Sequence, residues 1–78
     1  NRANILVAIS DSNEVWINKR QIDLRAVQAN IERLYAENPQ GSVVIQADEE
    51  SNTKTLIEVM DAARAAGVFD VSVATDEQ

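Results

Sequence analysis

Asp48-Glu49-Glu50 sets three carboxylates in a row just ahead of an alanine-rich helical pattern. Paired acids can divide general acid and general base work between them, or hold a hard cation such as Mg²⁺. Either chemistry needs company. The chain has no histidine and no cysteine, so the commonest general base and the commonest zinc ligands are missing. No nucleophile–base grouping of Ser, Lys or His accompanies the acids, the EF-hand spacing is absent, and there is no Gly-rich phosphate loop. Acids just before a helix N-terminus are also stabilised by its dipole without any function. Asp48 therefore reads as part of a solvated or structural turn, with a protein-binding rim as the functional alternative. No catalytic residue, metal site or cofactor is expected.

The remaining candidates concern binding. Trp16 points away from the core of an inferred hairpin, and tryptophan is a frequent interface anchor. Its ring packed on a neighbouring strand, or on the stem of Arg20, is the alternative. Val71 falls on a strand expected at a sheet edge. Lys19-Arg20 is the only adjacent basic pair and reads as a solvated hairpin end. Tyr35 reads as a core-rim residue with a wet hydroxyl, and Met60 as packing. Thirteen acids against seven bases give a net charge of -6, which disfavours nucleic acid and anionic lipid as partners but leaves a basic protein segment open.

The elements that position these residues follow from apolar spacing. Asn4 to Ile9 predicts a strand with Ile5, Val7 and Ile9 on one face. Asp11-Ser-Asn-Glu14 is a turn, and Val15 to Ile17 returns as a second strand. Gln21 and Ile22 add a short extended piece. Asp23 caps a helix whose inner stripe is Leu24, Val27, Ile31 and Leu34, ended by Asn38-Pro39-Gln40-Gly41. Glycine at 41 is expected to supply backbone angles other residues avoid. Ser42 to Ala47 is a third strand, nearly continuous in apolar character as a central strand tends to be. A second helix starts near Asn52 or Thr53 and buries Leu56, Val59, Met60 and Ala63, with Ile57 at its margin. Gly67 ends it in a left-handed turn, and Val68 makes the contact just beyond. The last strand is expected over Phe69 to Ala74, with Phe69, Val71 and Val73 alternating.

At 78 residues there is room for one domain, residues 1–78, and little for a deep cleft. The order β-β-α-β-α-β predicts an α/β two-layer sandwich, a small mixed sheet with two helices on one face. The Ala-rich helix should join parallel neighbours. The strands around Trp16 and Val71 are the expected edges, able to accept an added strand. No apolar run approaches the length of a membrane span, and no signal peptide is visible. The abrupt start at Asn1 is that expected of a piece excised from a longer chain.

Val43 to Asp48 (VVIQAD), Leu56 to Val68 (LIEVMDAARAAGV), the closing strand Val71 to Thr75 and the hairpin-like start through VWINK together resemble the periplasmic domain of the ExbD/TolR family of biopolymer transport proteins. The resemblance covers essentially the whole chain and leans to the ExbD-like branch. Asp48 matches the family's Ala-Asp segment and Gly67 the glycine ending its last helix. One departure stands out: the family's hydrophobic–Pro–Tyr step is Ser51, Asn52 and Thr53 here, so a contact made by that tyrosine is in doubt.

The resemblance implies a non-enzymatic periplasmic module of a proton-motive-force-driven complex in the cell inner membrane, anchored by a single transmembrane helix upstream of Asn1. The family's proton-carrying aspartate lies in that helix, and no residue here matches it. Implied partners are an ExbB/TolQ-like membrane subunit, a TonB/TolA-like periplasmic protein, and a second copy in a weak homodimer. A peptidoglycan-binding domain of TolR type is the alternative, and a carboxylate-dependent activity a third.

Overall fold

In a computed structural model, residues 4–76 are described. They form five strands and two helices: β1 (Ile5–Ile9), β2 (Val15–Ile17), β3 (Arg20–Ile22), α1 (Val27–Glu37), β4 (Val43–Asp48), α2 (Thr53–Ala65) and β5 (Val71–Asp76). The strands make one mixed sheet in the order β3-β2-β1-β4-β5. β1 pairs antiparallel with β2 and parallel with β4, and β5 runs parallel to β4. Both helices pack on one face, as the apolar stripes require.

Alternation fixes that face. Ile5, Val7 and Ile9 of β1, Val15 and Ile17 of β2, and Val43, Ile45 and Ala47 of β4 are all buried under the helices, where they meet Val27, Ile31, Val59 and Ala63. Their in-between neighbours, Leu6, Ala8, Trp16, Val44 and Gln46, lie on the face that no helix covers. Two buried polar side chains sit among the apolar ones. Ser42 gives its Oγ–H and N–H to Asn4 Oδ1 at 3.2 Å each, tying the head of β1 to the head of β4. The second, Thr55, occupies the inner face of α2 beside Val59 and Ala63, a position that apolar spacing alone passes over.

Two connections carry the sheet's geometry. Asn18 (φ 50) and Lys19 (φ 73) make a type I′ turn between β2 and β3, the two-residue turn whose twist matches a hairpin. Its effect is to place a third strand outside β2, so β2 is an internal strand and not the expected edge; the edges are β3 and β5. The other connection is the end of α2. Gly67 takes φ 95, its N–H reaches Arg64 O and the Val68 N–H reaches Ala63 O, the paired bonds of a Schellman motif.

That motif also overturns the expected start of the last strand. It drives Val68 into the core at 1 % exposure and turns Phe69 outward at 84 %. The Val43 N–H then donates to Asp70 O at 3.0 Å, and strand pairing begins only at Val71. Phe69 is not a strand residue and does not alternate with Val71. Asp23 caps as expected, accepting the Arg25 N–H at 2.8 Å, but what it caps is a 3₁₀ turn, Leu24–Ala26, ahead of α1. Gly41 is buried without a positive φ, so left-handed geometry is not its role.

Candidate functional site

Asp48 ends β4 and builds the turn that follows. Its Oδ1 accepts the Glu50 N–H at 2.9 Å, and its carbonyl oxygen accepts both the Ser51 N–H and the Ser51 Oγ–H, at 2.9 and 2.7 Å. One short acidic side chain thus reverses the chain with local bonds, the usual work of aspartate at a corner. From the other side, Asn13 at φ 67 aims its Oδ1 at the Asn52 N–H, 2.6 Å away. This bond locks the β1–β2 turn to the head of α2. Asn52 is the N-cap of α2 by backbone position and makes no side-chain capping bond, leaving its first turn to be held by this contact and by Leu56 N–H to Asn52 O. Glu49 and Glu50 are exposed, and no group of three His, Cys, Asp or Glu able to hold a metal occurs among the described residues.

The structure brings Trp16 and Asp48 together. In the sheet register Trp16 stands opposite Ala8 and Ala8 opposite Gln46, so an indole, a methyl and an amide line up across three strands of the uncovered face. A depression of about 300 Å³ opens there, bounded at its rim by Asp11 and Asp48. Trp16 is half-buried. Asp11 and Gln46 were not singled out from the sequence. Gln46 shares the parity of Trp16 in the sheet and was legible in principle, whereas Asp11 reaches the rim only through the turn.

Val71 lies elsewhere. It sits at the head of β5, opposite Val43 and three strands from Trp16, so it shares no site with Trp16 and Asp48. It does stand on an edge strand, as expected. Val73 on the same strand is 44 % exposed and Phe69 just ahead of it 84 %, which gives this edge an apolar margin. Among the described residues, the titratable pair whose charges shift one another, Asp23 and Arg25, is remote from both features. Arg25's guanidinium and backbone N–H hold the Asp23 carboxyl below the usual carboxylate range, and Asp23 in turn raises Arg25.

Among the described residues the sheet thus has one face without helices, two edge strands and a shallow depression beside Trp16. Among the described residues no helix is long and apolar enough to cross a membrane. The chain belongs to the ExbD/TolR family: the family model described as "Biopolymer transport protein ExbD/TolR" matches residues 1–78. It is similar to the biopolymer transport protein exbD2 of Vibrio cholerae, 45% identical over 76 residues that make up 97% of this chain. The chain spans 57% of the length of that relative. The family resemblance drawn from VVIQAD and LIEVMDAARAAGV is thereby shown, and the relative carries the ExbD-type name toward which it leaned.

Proposed function

We propose that this chain is the periplasmic, non-enzymatic module of an ExbD-type subunit in an inner-membrane complex that couples the proton-motive force to transport across the outer membrane. The observation that carries this reading is the 45% identity, sustained over nearly the whole chain, to a biopolymer transport protein of the same family. Through a membrane helix outside this chain the subunit works with an ExbB/TolQ-like channel protein. Its periplasmic domain engages a TonB/TolA-like protein and a second copy of itself.

The β5 edge is the surface best suited to that engagement. An extended partner segment laid along it would satisfy the outward N–H and C=O groups of Val71–Asp76, and Phe69 and Val73 supply apolar anchoring beside them. The bare face with Trp16 and Asp48 offers a second contact. Net charge of -6 steers a basic segment toward the domain, an attraction that salt weakens. Affinity should be micromolar or weaker, because a coupling device releases its partner on each cycle.

A peptidoglycan-binding role is supported by one feature: an indole flanked by Gln46 and Asp48 offers both a stacking face and hydrogen-bonding groups. A ¹⁵N titration separates the two readings. The periplasmic stretch of a TonB-like partner should perturb the amides of Val71–Asp76, more strongly at low salt than at high. Soluble muropeptide shifting the Trp16 indole N–H while the TonB-like segment shifts nothing would favour the glycan reading. Perturbation confined to the solvent face of α1, with both edges silent, would refute edge pairing.

A further inference from the structure

The second edge carries different chemistry. β3 ends the sheet opposite β5, and among the described residues no strand pairs with its outer side. Arg20 on β3 is in register with buried Ile17, so its side chain leaves the sheet on the helix-covered face. There it and Arg33 of α1 line a cavity of about 140 Å³ whose other walls include Ile17, Ile22, Asn30 and Leu34. Arg33 is held in place: its Nη2–H donates to Asn30 Oδ1 at 3.0 Å, and the Asn30 amide is itself anchored on Ala26 O at 2.8 Å. Among the described residues no carboxylate lines the cavity, and neither guanidinium forms an ion pair. In a chain with 13 acids, two arginines line a space that none of the described acidic side chains enters. Lys19 adds a third positive charge at the turn, in the left-handed conformation (φ 73) where glycine would cost less.

We propose that this corner recognises a carboxylate carried on an extended, acidic segment of a partner polypeptide that adds to the β3 edge. This goes beyond the reading of the β5 edge and does not depend on it. Side chains of an added strand alternate between the two faces of the sheet, so a residue placed opposite Arg20 or Ile22 projects into the helix layer. A Glu there lays its methylene stem between Ile22 and Leu34 and presents two oxygens to two guanidiniums. Planar arginine groups match such an oxygen pair with parallel hydrogen bonds. A free anion lacks both the stem and the backbone, which is why the strand edge and the apolar walls favour a peptide. The domain's negative charge repels an acidic partner at long range, and with a screening length of about 8 Å at physiological salt the attraction acts only on contact. The two edges would then select partner segments of opposite charge.

The test uses this chain, ¹⁵N-labelled, with the blocked peptide acetyl-VTETV-amide, its VTQTV counterpart, and inorganic phosphate as a third arm. The expected result is that VTETV shifts the Arg20–Ile22 amides together with the Arg20 and Arg33 Nε–H signals, and that VTQTV binds about tenfold more weakly, the size of one charge-assisted contact. Arg20→Gln and Arg33→Gln should each remove most of that difference. Both side chains are exposed, so an otherwise unchanged spectrum confirms that the variants are folded. Equal binding of the two peptides overturns the proposal, as do shifts that fall on Val71–Asp76 instead. Phosphate moving the arginine signals while neither peptide moves the β3 amides would overturn it too, leaving general anion attraction.

Discussion

Lys19 shows how a single backbone angle separates stability from function. A side chain at φ 73 brings its Cβ against the carbonyl, and glycine escapes that cost at the expense of a floppier unfolded chain. Lys19→Gly should therefore raise stability by about 0.5–1 kcal/mol in a urea titration. It should also weaken acidic-peptide binding, and a loss of stability would mean that the lysine makes a contact beyond its charge. Ile31 and Met60 illustrate the reverse relation. The helical stripes mark both as core, but Ile31 is fully buried and Met60 only half-buried. Ile31→Ala should cost about 2–4 kcal/mol through lost transfer energy and a cavity, and Met60→Ala less than half of that. Equal losses would mean that Met60 is as enclosed as Ile31. Period alone assigned the stripe correctly; it does not tell how far a helix overhangs its sheet. The same limit hid Thr55, whose hydroxyl kept it off an apolar list although its position in the α2 turn is an inner one.

Among the elements, the Schellman end of α2 has the largest consequences. Gly67 permits φ 95, Val68 folds back onto the core, and β5 is delivered beside β4 in parallel register. A Cβ on Gly67 would meet nothing within 4 Å, so packing does not oppose a larger residue there. Gly67→Ala should still destabilise by about 1–2 kcal/mol, the backbone cost of a left-handed residue, and Gly67→Asn by less. Denaturation midpoints for the pair check the order; alanine and asparagine ranking the other way would place the cost in packing. The helix end was legible because an alanine run followed by Gly-Val has one common solution. The strand after it was legible only in part, since Phe69-Asp-Val-Ser-Val alternates as well from Phe69 as from Val71. Only the turn decides which residues pair. β3 was faint for another reason: three residues carry little pattern of their own, and the type I′ turn at Asn18-Lys19 lacks the glycine that usually signals one. With β3 uncertain, β2 looked like an edge and Trp16 like an edge residue.

At the scale of the whole molecule, the sequence exposes the layer architecture far more readily than the interaction surfaces. Burial patterns are written locally in each strand, whereas the Trp16 depression and the Arg20–Arg33 cavity each join residues from three or more elements. The same contrast governs acid stability. Lowering the pH from neutrality first discharges a molecule of net charge -6, which relieves self-repulsion and favours the folded state. Asp23 works in the opposite direction at lower pH. Its folded pKa is depressed by Arg25, so below its ordinary value of 3.8 the unfolded chain takes up the proton while the folded one still resists. The stability it contributes is complete above the unfolded pKa and is lost as pH falls through the folded one. Asp23→Asn keeps an oxygen able to accept the Arg25 N–H but removes the ion pair, so the wild type should lead the variant at pH 6 and the gap should close on acidification. The exposure of both side chains makes that lead small and sensitive to salt. Urea midpoints for the two proteins between pH 2.5 and 6, at low and high ionic strength, measure it. A gap that stays constant with pH would assign the role of Asp23 to capping alone.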